Sequence, residues 1–303
     1  MRIFSACVLV LSVLLSACSQ SIDPQVLEQK YTNSSSSFME LDGNRIHYRD
    51  EGEGDVIVLI HGTASSLHTW DAWTESLKQH YRIIRMDLPG FGLTGPDYKD
   101  RYEVSDDVTF LKQFLGHLNI ESAHFVGSSL GGRIAWQYAL EKPEQVASLT
   151  LMNSLGYPQE RWPPPIQLAQ WPVFDTIMSH FSPRFMYDIG LRDVYFDSAL
   201  VDEKLVDRYF ELSRYPGNLA AFPKRVKARL DQDSQLISDV SVPTFVMWGQ
   251  EDLYFPVANA HRFQKEIAQT QMYIFEDVGH LPMEEVPDAS VKAYRSFLTQ
   301  ISY

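Results

Sequence analysis

Ser129 is the residue of this chain best placed to attack a substrate. It stands in Gly127-Ser128-Ser129-Leu130-Gly131-Gly132, between the apolar run Ala123-His124-Phe125-Val126 and the helix-patterned Arg133-Ile134-Ala135-Trp136-Gln137-Tyr138-Ala139-Leu140. A strand that turns so tightly into a helix drives its apex residue toward unfavourable backbone angles and lifts the side chain clear of the sheet. Glycines two before and two after the apex leave room for the two elements to approach. A serine hydroxyl is a weak nucleophile at neutral pH and needs a base, here a histidine held by a carboxylate. Donors must also face the oxyanion that forms on attack.

The remaining parts follow in the order nucleophile, acid, histidine, each at the end of a predicted strand. Residues 242–248 are strand-like and leave through Gly249-Gln250-Glu251-Asp252. Met272-Tyr273-Ile274-Phe275 leaves through Glu276-Asp277-Val278-Gly279-His280. Asp252 is assigned as the acid and His280 as the base, with Glu251 and Asp277 as acidic rivals. Upstream, Val56-Ile57-Val58-Leu59-Ile60 runs into His61-Gly62-Thr63-Ala64, where the glycine lets backbone N–H groups turn toward the site. His47, His80, His117 and His124 belong to no motif and are read as surface or packing residues. His61 is read as shaping the oxyanion loop.

Together with Asp87-Leu88-Pro89-Gly90-Phe91-Gly92, these motifs resemble those of the α/β-hydrolases over roughly residues 38–301. The resemblance implies an α/β fold, a mostly parallel sheet with helices on both faces and a helical cap insertion. It implies oxyanion donors in the N–H groups of Thr63 and Leu130, and its pattern of Gly, two residues, then Asp favours Asp252. Some relatives place the acid after the preceding strand, but Leu149-Thr150-Leu151-Met152-Asn153-Ser154 ends without a carboxylate. Haloalkane dehalogenases and epoxide hydrolases carry aspartate at the elbow. A serine there points instead to acyl chemistry: attack on a carbonyl, an acyl-enzyme, then hydrolysis.

The expected activity is therefore that of a carboxylesterase or lipase-like enzyme cleaving small or medium apolar esters. The cap position and the Gly-x-Ser-x-Gly-Gly run also resemble carbon–carbon bond hydrolases of aromatic degradation. Those enzymes commonly have asparagine at the position of Ser128 and tryptophan at that of Leu281. Carbon–carbon or amide hydrolysis by the same triad, and a catalytically silent envelope protein holding an apolar ligand, are the alternatives. No cofactor is expected. No metal-ligand spacing and no phosphate-cradling glycine loop occurs in the sequence.

The elements that must position this site are legible in outline. Phe38-Met39-Glu40-Leu41 and Arg45-Ile46-His47-Tyr48 flank Asp42-Gly43-Asn44, a hairpin signal. From Val56 strands and helices alternate, which implies a parallel sheet covered on both faces. The core is expected over residues 38–154 and 237–303, with a helical cap over 155–236. The cap is rich in aromatics, among them Trp171, Phe174, Phe181, Phe185, Tyr187, Tyr195, Phe196, Tyr209 and Phe210. Such a lid suits an apolar substrate shielded from water.

The chain opens with Met1-Arg2 and fifteen mostly apolar residues, then Leu15-Ser16-Ala17-Cys18. A positive start, a short apolar run and small residues before a break describe a secretory signal, here residues 1–17. The run is short for a membrane span, which needs about 20 apolar residues. The four residues ending at Cys18 resemble the processing site of bacterial lipoproteins, implying lipid attachment at Cys18. The expected location is the bacterial cell envelope, at the outer membrane in a Gram-negative source because Ser19 follows the cysteine. Residues 18–37 are expected to be a flexible tether. The formal net charge of -13 argues against nucleic acid or bare anionic lipid as partners.

Overall fold

In the computed structural model, residues 21–301 are described, apart from 160, 161, 163 and 229–232. The expected signal peptide and Cys18 lie outside them. The first departure from expectation is the tether: Pro24–Tyr31 is a helix, α1, which Asp23 caps by accepting the Gln25 N–H at 2.8 Å. Leu27 is buried in a small cluster with Leu93 and Leu212, and Glu28 pairs with Arg45 at 2.6 Å. Lys30 and Tyr31 both bind Glu211. The segment reads as polar because Leu27 is the one buried residue of α1, while Ile22 and Tyr31 pack only partly and the remaining contacts are polar. Residues 22–37 are thus part of the folded body.

β1 (Ser36–Leu41) and β2 (Asn44–Glu51) form the hairpin, turning through Asp42 and Gly43, both at positive φ. There follow β3 (Asp55–Ile60), α2 (Asp71–Leu77), β4 (Tyr81–Met86), α3 (Val104–His117), β5 (Ala123–Ser128), α4 (Leu130–Glu141) and β6 (Val146–Met152). Next come the five cap helices α5 (Pro164–Ala169), α6 (Pro172–Met178), α7 (Arg184–Val194), α8 (Glu203–Ser213) and α9 (Asn218–Lys227). The core resumes with β7 (Thr244–Gly249), α10 (Ala258–Glu266), β8 (Thr270–Phe275), α11 (Pro282–Glu285) and α12 (Pro287–Ile301).

The eight strands lie in the order β1-β2-β4-β3-β5-β6-β7-β8. Pairs β1·β2 and β2·β4 are antiparallel and the rest parallel. Alternate residues of β3 feed opposite faces: Val58 and Ile60 pack with α3, α4 and α10, whereas Ile57 and Leu59 pack with α2 and α12. Continuous apolar strands are what burial on two faces requires. Leu155 and Tyr157, at the start of the expected cap, and Ile237, just past its end, pack in the first of these clusters. The cap is tied back by Arg225, whose guanidinium binds both Asp107 oxygens on α3 at 2.6 and 2.9 Å and the Pro89 carbonyl at 2.6 Å.

Candidate active site

β5 ends at Ser128 and α4 begins at Leu130, so Ser129 alone makes the turn. Its φ of 54° and ψ of -117° cost a non-glycine residue on the order of 1–3 kcal/mol, sustained only where the surroundings over-determine the backbone. They do so here. The Ser129 N–H donates to the Met152 carbonyl at 3.1 Å, and its own carbonyl accepts from Arg133 and Leu155 at 3.2 and 3.1 Å. A Cβ on Gly127 would be driven into the carbonyl of Gly131, and one on Gly131 into that of Ile60. The close approach of strand and helix therefore requires both glycines.

Asp252 lies in the loop leaving β7, and its carboxylate receives four donors. Oδ1 accepts from the Tyr254 and Phe255 N–H groups at 2.8 and 3.1 Å. Oδ2 accepts from Asn153 Nδ2 and His280 Nδ1, each at 2.7 Å. An acceptor-only partner at Nδ1 fixes the proton there and leaves Nε2 unprotonated, the form a general base requires. The ring is flanked by Tyr254 and Phe255 at 5.6 and 5.1 Å between centroids. Ser129 and His280 line one cavity. The rivals play no such part: Asp277 is a positive-φ turn residue, and Glu251 is exposed.

Sequence reasoning missed two groups that hold this machinery. Asn153 stands at the end of β6, at the place inspected for a carboxylate. It donates to Asp252 and accepts the Gly249 N–H at 3.1 Å, with φ at 43°. Glu285, buried on α11, accepts from Gly279 at 3.0 Å, Leu281 at 3.3 Å and Phe196 of the cap at 2.8 Å. The His280 N–H itself donates to the cap carbonyl of Val194 at 2.9 Å. Next door, Glu284 accepts from Tyr195, Arg208 and Tyr209 of the cap. The cap thus grips the histidine loop from both sides. Displacing a catalytic group by about 1 Å costs on the order of 100-fold. Glu285→Ala is accordingly expected to lower kcat by about ten- to a hundredfold with KM little changed. A kcat within about twofold of the parent would sink the positioning role.

Thr63 lines the cavity, and Leu130 opens α4, where first-turn N–H groups have no intrahelical acceptor. Of the two expected oxyanion donors, Thr63 bounds the space before Ser129 and Leu130 follows Ser129 directly in the chain. The loop carrying Thr63 is clamped by His61, whose Nδ1 donates to the Gly62 carbonyl at 2.8 Å while Nε2 accepts the Leu88 N–H at 3.0 Å. That division needs a neutral ring, and burial pushes His61 down to about 4. Burial does the same to His68, beside the Tyr31 carbonyl.

In the unfolded chain both histidines take up a proton between about pH 6.5 and 4, and in the folded chain they resist it. Stability should fall as pH drops through that window, by up to about 1.4 kcal/mol per pH unit for each histidine. Glu285, which burial pushes above the usual carboxylate range, acts in the opposite direction and offsets part of the loss. Urea midpoints at pH 7 and pH 5 provide the check: His68→Gln should lose less between the two than the parent, and an equal loss would contradict this account.

The cavity has a volume of about 230 Å³. Its walls are Phe91, Leu155, Tyr254, Phe255 and Leu281 of the core, with Ile166, Met178, Met186, Tyr187, Leu191, Tyr209 and Phe222 of the cap. Among the described residues none that lines it is Asp, Glu, Lys or Arg. Few of the cap aromatics named from the sequence form the lid. Tyr187 and Tyr209 face the cavity, whereas Trp171, Phe174, Phe185 and Phe196 are exposed. Among the described residues no group of three or more His, Cys, Asp or Glu side chains could hold a metal ion. No helix among them is long and apolar enough to cross a membrane.

Sheet order, nucleophile elbow and an acid–histidine pair at the carboxyl ends of the parallel strands define a hydrolase of the α/β class. A family model of the alpha/beta hydrolase fold matches residues 55–190, and the chain belongs to that family. It is 30% identical over 252 residues to a 2-hydroxy-6-oxononadienedioate/2-hydroxy-6-oxononatrienedioate hydrolase of Cupriavidus pinatubonensis, covering 78% of this chain and 84% of that one. It is 27% identical over 243 residues to an uncharacterized hydrolase, YugF, of Bacillus subtilis, covering 80% and 89%. Among solved structures, a serine hydrolase involved in carbazole degradation superposes with a TM-score of 0.76 at 25% identity, covering 88% of this chain and 98% of that one.

Proposed function

We propose that this hydrolase is a serine carboxylesterase cleaving neutral, apolar acyl esters of small or medium length through an acyl-enzyme on Ser129. His280 takes the serine proton and gives it to the leaving alcohol; it then takes a proton from the water that attacks the acyl-enzyme and gives that one to Ser129 as the acid leaves. Asp252 orients His280, and the Thr63 and Leu130 N–H groups hold the oxyanion. The observation that carries this reading is the uncharged cavity wall. Its volume is about 230 Å³. An ester fits there without burying an unpaired ion.

Carbon–carbon bond hydrolysis is the second reading, favoured by the Cupriavidus relative, whose name denotes dicarboxylate substrates. A carboxylate buried against this wall would be left without a cation, at a cost of several kcal/mol. Hydrolysis of p-nitrophenyl esters of increasing acyl length, beside a 2-hydroxy-6-oxo-dienedioate, separates the two. Turnover of the neutral esters, peaking at medium length and absent from Ser129→Ala, is the expected result. Faster turnover of the dienedioate would overturn the ester assignment.

The Leu15-Ser16-Ala17-Cys18 run supports lipid anchoring at Cys18 in a bacterial envelope. Metabolic labelling with a fatty acid should mark the protein and fail in Cys18→Ser. Labelling that persists in that variant would refute the anchor.

A further inference from the structure

Two cap helices are apolar on both edges. α6 sends Met178 into the cavity, yet Trp171, Val173, Phe174 and Ile177 around it are 65%, 68%, 40% and 46% exposed. α7 sends Met186 and Leu191 inward, yet Phe185 and Ile189 are 62% and 56% exposed. Phe185 and Ile189 are four apart on one face of α7; around α6, Trp171, Phe174 and Ile177 follow at three-residue steps, with Val173 four before Ile177. Covering the cavity accounts for the inner edges only. Soluble surfaces rarely leave such apolar faces without a use.

The first described residues lie on the same subdomain. The Ile22 N–H donates to the Arg214 carbonyl at 3.0 Å, just past the end of α8, and Ile22 packs on the Leu212 cluster. Cys18 is four residues away, a reach of at most about 14 Å for extended chain. Because residues 22–37 are folded rather than a leash, a lipid on Cys18 would keep the cap close to the bilayer.

Charge selects the kind of surface. Lys227 of α9 is paired with Asp175 of α6, Arg184 at the start of α7 is paired with Asp207 and Glu203, and the chain carries a net charge of -13. This arrangement gives no electrostatic attraction to anionic headgroups.

We infer that the outer faces of α6 and α7 are a docking surface for a neutral or zwitterionic lipid bilayer, seating the cavity's own walls against the acyl layer. The inference uses the proposed anchor for orientation but does not need it for contact. The test therefore uses a chain beginning at residue 18 with Cys18→Ser, which keeps every described residue and lacks the lipid. Phosphatidylcholine vesicles are floated with this protein and with Trp171→Ser/Phe174→Ser and Phe185→Ser/Ile189→Ser, none of which lines the cavity.

The parent should float, and each double variant should float at least about tenfold less. Turnover of a soluble ester should be unchanged, while turnover of the same acyl group dispersed in the vesicles should fall. Adding phosphatidylglycerol should not strengthen binding. No flotation of the parent, or equal flotation of the variants, overturns the surface. A dimer seen by sedimentation without vesicles, and lost in the same variants, overturns it in favour of a second copy of the chain. Failure on the soluble ester in every protein would instead count against the esterase reading.

Discussion

Ser129→Ala is expected to lower kcat for a p-nitrophenyl ester by on the order of 10⁵–10⁶, because the hydroxyl forms the intermediate and nothing else in the cavity replaces it. A serine-reactive phosphonate should likewise mark Ser129 in the parent and leave the variant unlabelled. The loss should not come from unfolding. Alanine occupies the same backbone at φ 54° with much the same strain, so thermal midpoints of parent and variant should agree. Ser129→Gly supplies the contrast. It is equally inactive, but glycine tolerates positive φ, and relief of on the order of 1 kcal/mol should raise its midpoint by a few degrees. A glycine variant no more stable than the alanine one would mean that the elbow stores no strain. Residual activity in Ser129→Ala within about a hundredfold of the parent would remove the nucleophile from the mechanism altogether.

What the sequence disclosed about this site follows from where the chemistry sits on the chain. Ser129 and Asp252 each follow a buried apolar run and His280 follows the half-buried edge strand β8, and an apolar run with a polar exit is visible in one dimension. The sheet was legible for the same reason, since strands buried on both faces are written as near-continuous apolar stretches. Asn153 was less visible because an amide at a strand end looks like any turn residue. Only its contact with Asp252, 99 positions away in sequence, gives it a role. Glu285 hid within an acidic pair on a short helix, where a solvated face is the ordinary reading. Its partners Gly279, Leu281 and Phe196 offer backbone N–H groups, which carry no side-chain signature. α1 escaped for an energetic reason: one buried leucine, a partly buried tyrosine and a set of polar contacts dock it, too little apolar periodicity to show in the sequence.

Asp252→Asn should cost about 10⁴ in kcat with the fold intact, and the hydrogen-bond directions around the side chain say why. Oδ1 receives two backbone N–H groups, from Tyr254 and Phe255, so an amide must keep its oxygen there. Its NH₂ then takes the place of Oδ2, facing His280 Nδ1 and Asn153 Nδ2, both of which are donors to the native carboxylate. Asn153 cannot turn over cheaply, because its own oxygen accepts the Gly249 N–H. His280 is the partner free to change: its proton moves to Nε2, and Nδ1 accepts from the new amide. A ring protonated at Nε2 cannot take the proton of Ser129, which is the physical source of the loss. In the ¹⁵N spectrum of the imidazole, the parent should carry its proton on Nδ1 and the variant on Nε2. Asn153→Ala should act more mildly, lowering kcat by about tenfold, since it removes one of four donors and leaves the tautomer unchanged. An Asp252→Asn enzyme that kept more than about a tenth of parental kcat would place the orienting carboxylate elsewhere.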